Sequence, residues 1–253
     1  MKAARILALL PLAWLSMGAT KPVLVPDVSE SRIEIRYSFT GAELLLFGAI
    51  LYPGGRAPKE ETDIAVVVKG PTQPLILREK QKVAGMWMNA ASTRFRSAPS
   101  FYAIASSRPL STLVDDRTAA IYELGLQNLQ LSPGAGASPE SQRRFEAGFV
   151  DLMERNLLYR EDPRGVRITN DVLYRAQVDI PARVPVGTYT AETFLIRDGR
   201  VLAVATREIR VEKLGFERFV ARAADRWSFT YGVVAVIVSL LLGWGGSALF
   251  RRV

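Results

Sequence analysis

The C-terminal part of the chain contains a stretch without a single charged side chain, residues 227–250. A helix of this length would reach roughly 36 Å, enough to cross a hydrocarbon core about 30 Å thick. Trp227 and Trp244 lie toward its ends, where aromatic rings favour the level of the lipid headgroups. A buried core helix is the alternative. The stretch predicts a transmembrane helix over residues 229–250.

The N-terminal residues 1–20 have the pattern of a secretory signal peptide. Lys2 and Arg5 precede an apolar run over residues 6–15, and small residues follow it. The run is short for a membrane span, although an uncleaved anchor is the alternative. Because an export signal would carry the following domain across, we expect a single-pass protein of the cell inner membrane. Its N-terminal domain would be periplasmic and its tail, 251–253, cytoplasmic.

Residues 213–228 form a predicted amphipathic juxtamembrane segment, with apolar residues at helical spacing and basic residues on another face. Such a segment suits an anionic membrane surface, or it forms the first turns of a longer continuous helix. Five arginines near the span are therefore candidates for contacts with lipid headgroups: Arg218, Arg222, Arg226, Arg251 and Arg252.

Small residues recur at every fourth position within the predicted span. Ser239, Gly243 and Ser247 share one helical face, and small residues at this spacing let another helix approach closely. They are candidate contact residues for a partner in the membrane, although glycine and serine are common in such helices.

Between the two ends, residues 22–212 predict a mainly β extracytoplasmic domain. Polar and apolar residues alternate over 32–37, and Asp198-Gly199 separates two alternating runs as in a β-hairpin. Short strands at this spacing favour a β-sandwich over a parallel sheet with crossover helices.

A two-helix insertion is predicted over residues 115–161. The first helix is expected over 115–130. The second begins with Ser138 as N-cap and Pro139 in the first turn. The apolar spacing predicts a buried stripe on this second helix, formed by Phe145, Phe149, Leu152 and Leu157.

The block Gly85-Met86-Trp87-Met88-Asn89 is the most unusual local sequence. In a strand, alternation places Met86 and Met88 on one face and Trp87 on the other. The three side chains either pack in the core or form an adaptable contact surface for a partner. A copper site is disfavoured because two thioethers have no histidine or cysteine to complete it.

The chain contains no cysteine and no histidine. This composition excludes disulfides, Cys/His zinc sites and histidine-based catalytic triads. The net charge is +8, but the basic residues are dispersed, which favours lipid headgroups and disfavours nucleic acid as the partner. The acidic pairs Glu60-Glu61 and Asp115-Asp116 are typical of solvated loop and helix-start charges, not of a calcium site. We expect no cofactor and no metal.

Two resemblances accompany these patterns. The passage over 180–196, in which proline and glycine precede a strand with an inward tyrosine, is similar to the closing strands of bacterial immunoglobulin-like domains. The whole layout resembles the Alph_Pro_TM family of alphaproteobacterial transmembrane proteins, through the segments at 26–29, 33–35 and 85–89, the passage 184–201 and the terminal helix. This resemblance implies the same topology and no established activity, and it points to a neighbouring permease similar to sulfite exporters.

The sequence therefore favours an immunoglobulin-like β-sandwich that acts without catalysis, as an accessory or interaction partner of a membrane protein such as a transporter. A periplasmic sensor that binds a ligand or glycan is the alternative and would show a concave, aromatic-lined pocket. A hydrolase that uses carboxylates would show two acids about 5–10 Å apart in a cleft.

Overall fold

The computed structural model describes residues 21–35, 41–55, 57, 58, 60–133, 138–213, 220 and 224–250. The side chains of Ile35, Pro133, Lys213 and 245–250 lie outside that description, as does the predicted signal peptide. The described strands, in chain order, are β1 (Val23–Val28), β2 (Arg32–Ile35), β3 (Gly41–Leu51), β4 (Asp63–Lys69), β5 (Thr72–Val83), β6 (Met86–Pro99), β7 (Tyr102–Ser106), β8 (Ser132–Pro133), β9 (Tyr159–Asp162), β10 (Val166–Thr169), β11 (Leu173–Pro181), β12 (Gly187–Arg197) and β13 (Arg200–Lys213). The described helices are α1 (Leu110–Leu113), α2 (Asp116–Ile121), α3 (Pro139–Arg155) and α4 (Ser228–Phe250), with short 3₁₀ turns at Pro53–Gly55 and Leu126–Asn128.

The strands form three sheets. The outer sheet has the order β1-β3-β11-β10, and the central sheet has the order β2-β13-β12-β4-β7-β9. The hairpin sheet consists of β5, β6 and the short β8. Most neighbours are antiparallel, but β2 runs parallel to β13 and β9 runs parallel to β7. The prediction of a mainly β protein is confirmed.

The middle of the central sheet is covered on both faces, which explains the apolar run in β4. Ile64, Val66 and Val68 face a core shared with the outer sheet, while Ala65 and Val67 face a second core on the opposite side. All five are fully buried. A strand segment between two cores has no solvent face, so residues 64–68 are all apolar instead of alternating.

The second core lies between the central sheet, the helices and the base of the β5–β6 hairpin. Its centre is aromatic: the ring of Phe149 on α3 lies 5.5 Å from that of Phe95 on β6 and 5.7 Å from that of Tyr159 on β9. All three side chains are buried. This cluster joins α3 to the hairpin sheet and to the central sheet.

Two predicted local features are confirmed. Asp198 and Gly199 both have positive φ, 48° and 74°, as a two-residue turn between β12 and β13 requires. Ser138 caps α3 by accepting a hydrogen bond from the Ser141 amide at 3.3 Å, and Pro139 follows it at the start of the helix.

The helical region differs from the prediction in three respects. The helix expected over 115–130 is only the single short helix α2 followed by a 3₁₀ turn, because Gly125 adopts a φ of 100° between them. The predicted insertion 115–161 also ends in strand β9, which joins the central sheet. On α3 the buried stripe is Phe145, Phe149 and Met153. Leu152 is exposed, and Leu157 lies beyond the end of the helix and is also exposed, so that part of the prediction is wrong.

Among the residues that the structure describes, four tyrosines are buried in the two cores, and burial raises the pKa of each phenol: Tyr102, Tyr159, Tyr174 and Tyr189. For Tyr189 the pKa rises to about 12. An unfolded tyrosine ionises near pH 10. The stability that these groups contribute is therefore fully present below about pH 10 and is lost as the pH rises toward their folded-state pKa values.

We expect the urea midpoint of the full-length chain in mild detergent to fall between pH 9 and pH 11.5. For Tyr189 alone the loss approaches about 1.4 kcal/mol per pH unit between its two pKa values. Tyr189→Phe removes one ionisable group, so its stability should fall less over the same interval than that of the parent. Parallel pH profiles for the parent and the variant would contradict this assignment.

Candidate interaction surfaces

The tip of the β5–β6 hairpin projects from the domain. Its turn is Ala84-Gly85, and both residues have positive φ, 49° and 87°. Near the base, Leu75, Leu77 and Phe95 pack toward the second core. From residue 80 to residue 90, by contrast, every side chain is exposed. At about 3.3 Å per residue the exposed arms extend roughly 13–17 Å beyond the packed base.

The tip has two different faces, as the alternation predicted. Trp87 pairs with Lys82 across the hairpin, while Met86 pairs with Val83 and Met88 with Gln81. Directly opposed residues share a face, so Met86 and Met88 lie together and Trp87 lies on the other side. Their exposed fractions are 68%, 71% and 50% for Met86, Trp87 and Met88. The alternative that they pack in the core is wrong.

A second exposed surface, which the sequence analysis missed, lies on the outer sheet. Its solvent side carries six large apolar residues on three adjacent strands, called here the apolar face: Val23, Val25, Leu45, Phe47, Leu51 and Leu173. Their exposed fractions range from 37% to 55%. The available signal was the uninterrupted apolar run of β3, where Leu44, Leu46 and Ile50 face the core and Leu45, Phe47 and Leu51 face outward. On the same side, Asp27 and Arg175 lie directly beside Phe47, and Gln177 lies beside Leu45. The apolar residues therefore form a stripe along β3, with Val23, Val25 and Leu173 beside its Leu51 end. Exposed apolar surface of this kind typically marks a contact site for another protein or a membrane.

Helix α4 contains the predicted span and carries no charge. Its described large apolar side chains are exposed on every side of the helix, including Phe229, Val234, Leu240 and Leu242. Ser239 and Gly243 lie one turn apart, and the Ser239 hydroxyl donates to the Ala235 carbonyl at 2.8 Å. The side chain of Ser247 lies outside the described residues. Within the part of the chain that the structure describes, no helix meets the combined length and apolarity of a membrane span.

The predicted headgroup contacts fall mostly beyond the described residues. Arg218, Arg222, Arg251 and Arg252 lie outside them. Arg226 is described and exposed, in a short helical segment immediately before α4. The amphipathic segment 213–228 therefore stays a prediction.

A partly buried ionic group connects β4, β12 and the loop after α2. The Lys69 ammonium lies 2.9 Å from a Glu123 carboxylate oxygen and 3.3 Å from one of Glu192. Burial lowers the pKa of Lys69, but its bonds to these carboxylates outweigh that and raise it. Tyr102 donates to the Glu123 carbonyl and accepts from the Gly125 amide, at 2.7 and 3.0 Å. These partners hold the loop against the sheet, so the group is a structural tie.

Asp63 is the buried carboxylate at the start of β4. Its oxygens accept a hydrogen bond from the Ser107 hydroxyl at 2.7 Å and from Arg108, with one contact at 3.0 Å from Nε. A buried charge is stable only when it is paired and hydrogen-bonded. The Asp63–Arg108 pair thus fixes the exit of β7, and bonding to Asp63 raises the pKa of Arg108.

Three surface pockets of about 290, 300 and 460 Å³ lie around the helices and the β9–β11 region. None of the residues that line these three pockets is aromatic. The first contains Glu161, whose carboxylate accepts a hydrogen bond from the Leu126 amide and thereby caps the 3₁₀ turn. Among the residues with described positions, no group of three or more acidic side chains could hold a metal ion.

Taken together, the fold and its surfaces define a mainly β protein with exposed apolar side chains on the outer sheet and the hairpin tip, and with an uncharged C-terminal helix. The chain matches the model of the family described as "Putative transmembrane protein (Alph_Pro_TM)" over residues 23–252, and it belongs to that family. No curated protein matches the chain.

Proposed function

We propose that this protein is a single-pass, membrane-anchored accessory protein that binds an integral membrane protein, such as a permease-like transporter, without catalysing a reaction. The observation that carries the proposal is the apolar face of the outer sheet. Exposed apolar area costs about 25 cal/mol per Å² relative to burial, so an apolar stripe along β3 with apolar neighbours on β1 and β11 favours a protein partner. Asp27 and Arg175, which flank Phe47, would supply polar contacts at the edge of the same interface.

Helix α4 supports anchoring as the second element of the proposal. A helix that is apolar on all sides is stable only where its whole surface is buried, and lipid provides such burial. The helix has 23 residues and would reach about 34 Å. Membership in a family named for a transmembrane protein agrees with this role. Ser239, Gly243 and Ser247 would then face a helix of the partner.

The β domain, as proposed, is an immunoglobulin-like sandwich in the periplasm. Tyr189 is buried on β12, and its hydroxyl donates to the Pro185 carbonyl four residues upstream at 2.8 Å. A tyrosine bonded back to the chain just before its strand is typical of immunoglobulin-like domains. The signal peptide over 1–20 and a cytoplasmic tail at 251–253 complete the topology.

The proposal is tested with the full-length chain in membranes of its own organism. A photo-crosslinking residue at position 47 should capture one integral membrane protein, whereas the same residue at the exposed position 208 on β13 should not. Phe47→Asp and Leu173→Asp should each reduce co-purification of that protein at least about tenfold, because desolvated apolar contacts dominate such interfaces. Glu208→Gln is the matched surface control.

Two results would contradict the proposal separately. Recovery of the chain alone from mild detergent, with no crosslink from position 47, would show that it does not bind an integral membrane protein through the apolar face. Release of the chain from membranes by alkaline carbonate would show that α4 does not span the bilayer.

A further inference from the structure

The β5–β6 hairpin presents a cationic face with an aromatic tip, on a part of the domain away from the apolar face. Arg78, Lys80 and Lys82 alternate along β5 with the inward Leu77 and Glu79, so they share the outward face. Arg94 of β6 lies opposite Ile76 and belongs to the same face. Four cations thus lie on one side of a two-stranded ribbon.

No acidic residue on the hairpin offsets this charge. The hairpin contains a single acid, Glu79, on the inward face. Its carboxylate lies 3.2 Å from the Arg144 guanidinium of α3, so it is already paired. The cationic face therefore attracts an anionic partner surface.

The tip beyond these cations is apolar. Val83, Met86, Trp87 and Met88 surround the Ala84-Gly85 turn and are between 45% and 71% exposed. Trp87 lies beside Lys82 on the cationic face, and the two methionines lie on the other side with Val83. The ribbon is therefore apolar at its end and cationic behind it.

We infer that the β5–β6 hairpin docks on an anionic lipid bilayer, with Val83, Met86, Trp87 and Met88 entering the interface and the four cations contacting headgroup phosphates. Tryptophan favours the headgroup level of a bilayer. Lysine and arginine place their charged ends at that level while their stems cover apolar surface. A bilayer also accepts both faces of a narrow ribbon at once, whereas a protein groove would have to enclose it.

This inference rests on the proposed anchoring, because a domain tethered near a bilayer meets it at a high effective concentration. Residues 214–227 separate β13 from α4. Residues 224–226 of this tether are helical, and at 3.3–3.6 Å per residue the stretch 214–223 before them spans at most about 33–36 Å. The tether therefore keeps the domain close to the bilayer. The docked hairpin would set the orientation of the domain, and hence of its apolar face, above the membrane.

The absence of native cysteine allows a single-site test. The full chain carrying Met86→Cys is labelled with an environment-sensitive fluorophore and reconstituted with its β domain outside vesicles. The vesicles contain either neutral phosphatidylcholine or phosphatidylcholine with phosphatidylglycerol. Thr72→Cys, at the exposed base of the same hairpin and roughly 36 Å from the tip along β5, is the matched control.

In anionic vesicles the label at position 86 should shift to the blue and be quenched by a quencher confined to the lipid, and the label at position 72 should not. Each replacement among Arg78→Gln, Lys80→Gln and Lys82→Gln should weaken docking about fivefold. Raising the salt from 0.1 to 1 M should release the tip, because the screening length falls from about 10 Å to about 3 Å.

Two results would overturn the inference. One is a fluorophore at position 86 whose emission in anionic vesicles is the same as in water. The other is equal shielding of that fluorophore in neutral and anionic vesicles. Shielding that appears only in native membranes would instead identify a protein as the occupant. Carbonate extraction of the same labelled chain tests the anchoring by α4 independently. A chain that is not anchored can therefore be distinguished from an anchored chain whose hairpin does not dock.

Discussion

Phe149→Ala should lower the free energy of unfolding by about 3–5 kcal/mol, one of the two largest losses expected for a single substitution in this chain. Phe149 is 2% exposed, and its ring packs against Phe95 of the hairpin sheet and Tyr159 of the central sheet. Truncation leaves a cavity between rigid strands that cannot collapse to fill it. Urea unfolding of the full chain in mild detergent, followed by circular dichroism, measures the loss.

Leu152→Ala is the matched control on the same helix. Leu152 is 44% exposed, so its truncation should change the free energy of unfolding by less than about 1 kcal/mol. The two variants also distinguish the sequence prediction from the structure. The sequence pattern predicts that both Phe149 and Leu152 are buried, whereas the structure buries only Phe149. Similar losses from both variants would show that the helix packs differently.

Gly48→Ala should destabilise the chain by about 3 kcal/mol, at the upper end of overpacking costs. Gly48 lies on the core side of β3, where a Cβ would meet the Val25 carbonyl oxygen at 2.4 Å and the Tyr174 hydroxyl at 2.7 Å. The Val25 contact is with the backbone of the paired strand β1, which cannot move without breaking the ladder. The same urea experiment tests this expectation.

Gly148→Ala is the control for adding a methyl group. Gly148 lies within α3, and a Cβ there meets nothing within 4 Å. Alanine is the better helix former by about 0.8–1.0 kcal/mol, so this variant should be as stable as the parent or more stable. Equal destabilisation by the two substitutions would contradict the close approach of β1 at Gly48.

Local patterns predicted the features whose cause is local. Ser138 and Pro139 mark the start of α3, and Asp198-Gly199 marks the turn between β12 and β13, because capping and turn geometry depend on neighbouring residues alone. The two faces of the hairpin tip were likewise predicted by strand alternation. Their exposure was not, because alternation does not say whether a face meets solvent or a core.

The candidate interaction surfaces were likewise predicted only in part from local sequence. Met86, Trp87 and Met88 were singled out by composition, but the cations that share a face with Trp87 appear only once β5 pairs with β6. The apolar face of the outer sheet was missed, since it combines residues from β1, β3 and β11 that are up to 150 positions apart. No periodicity along one strand reveals which strands will be neighbours.

The uncharged stretch 227–250 illustrates what the sequence by itself determined: its length, its lack of charge and its helical form, each a property of consecutive residues. Tertiary structure decided the rest. It placed β4 between two cores, converted the end of the expected helical insertion into strand β9, and turned Leu152 outward while Met153 faces inward. The physical reason is that burial depends on what packs against a residue, and those partners come from distant parts of the chain.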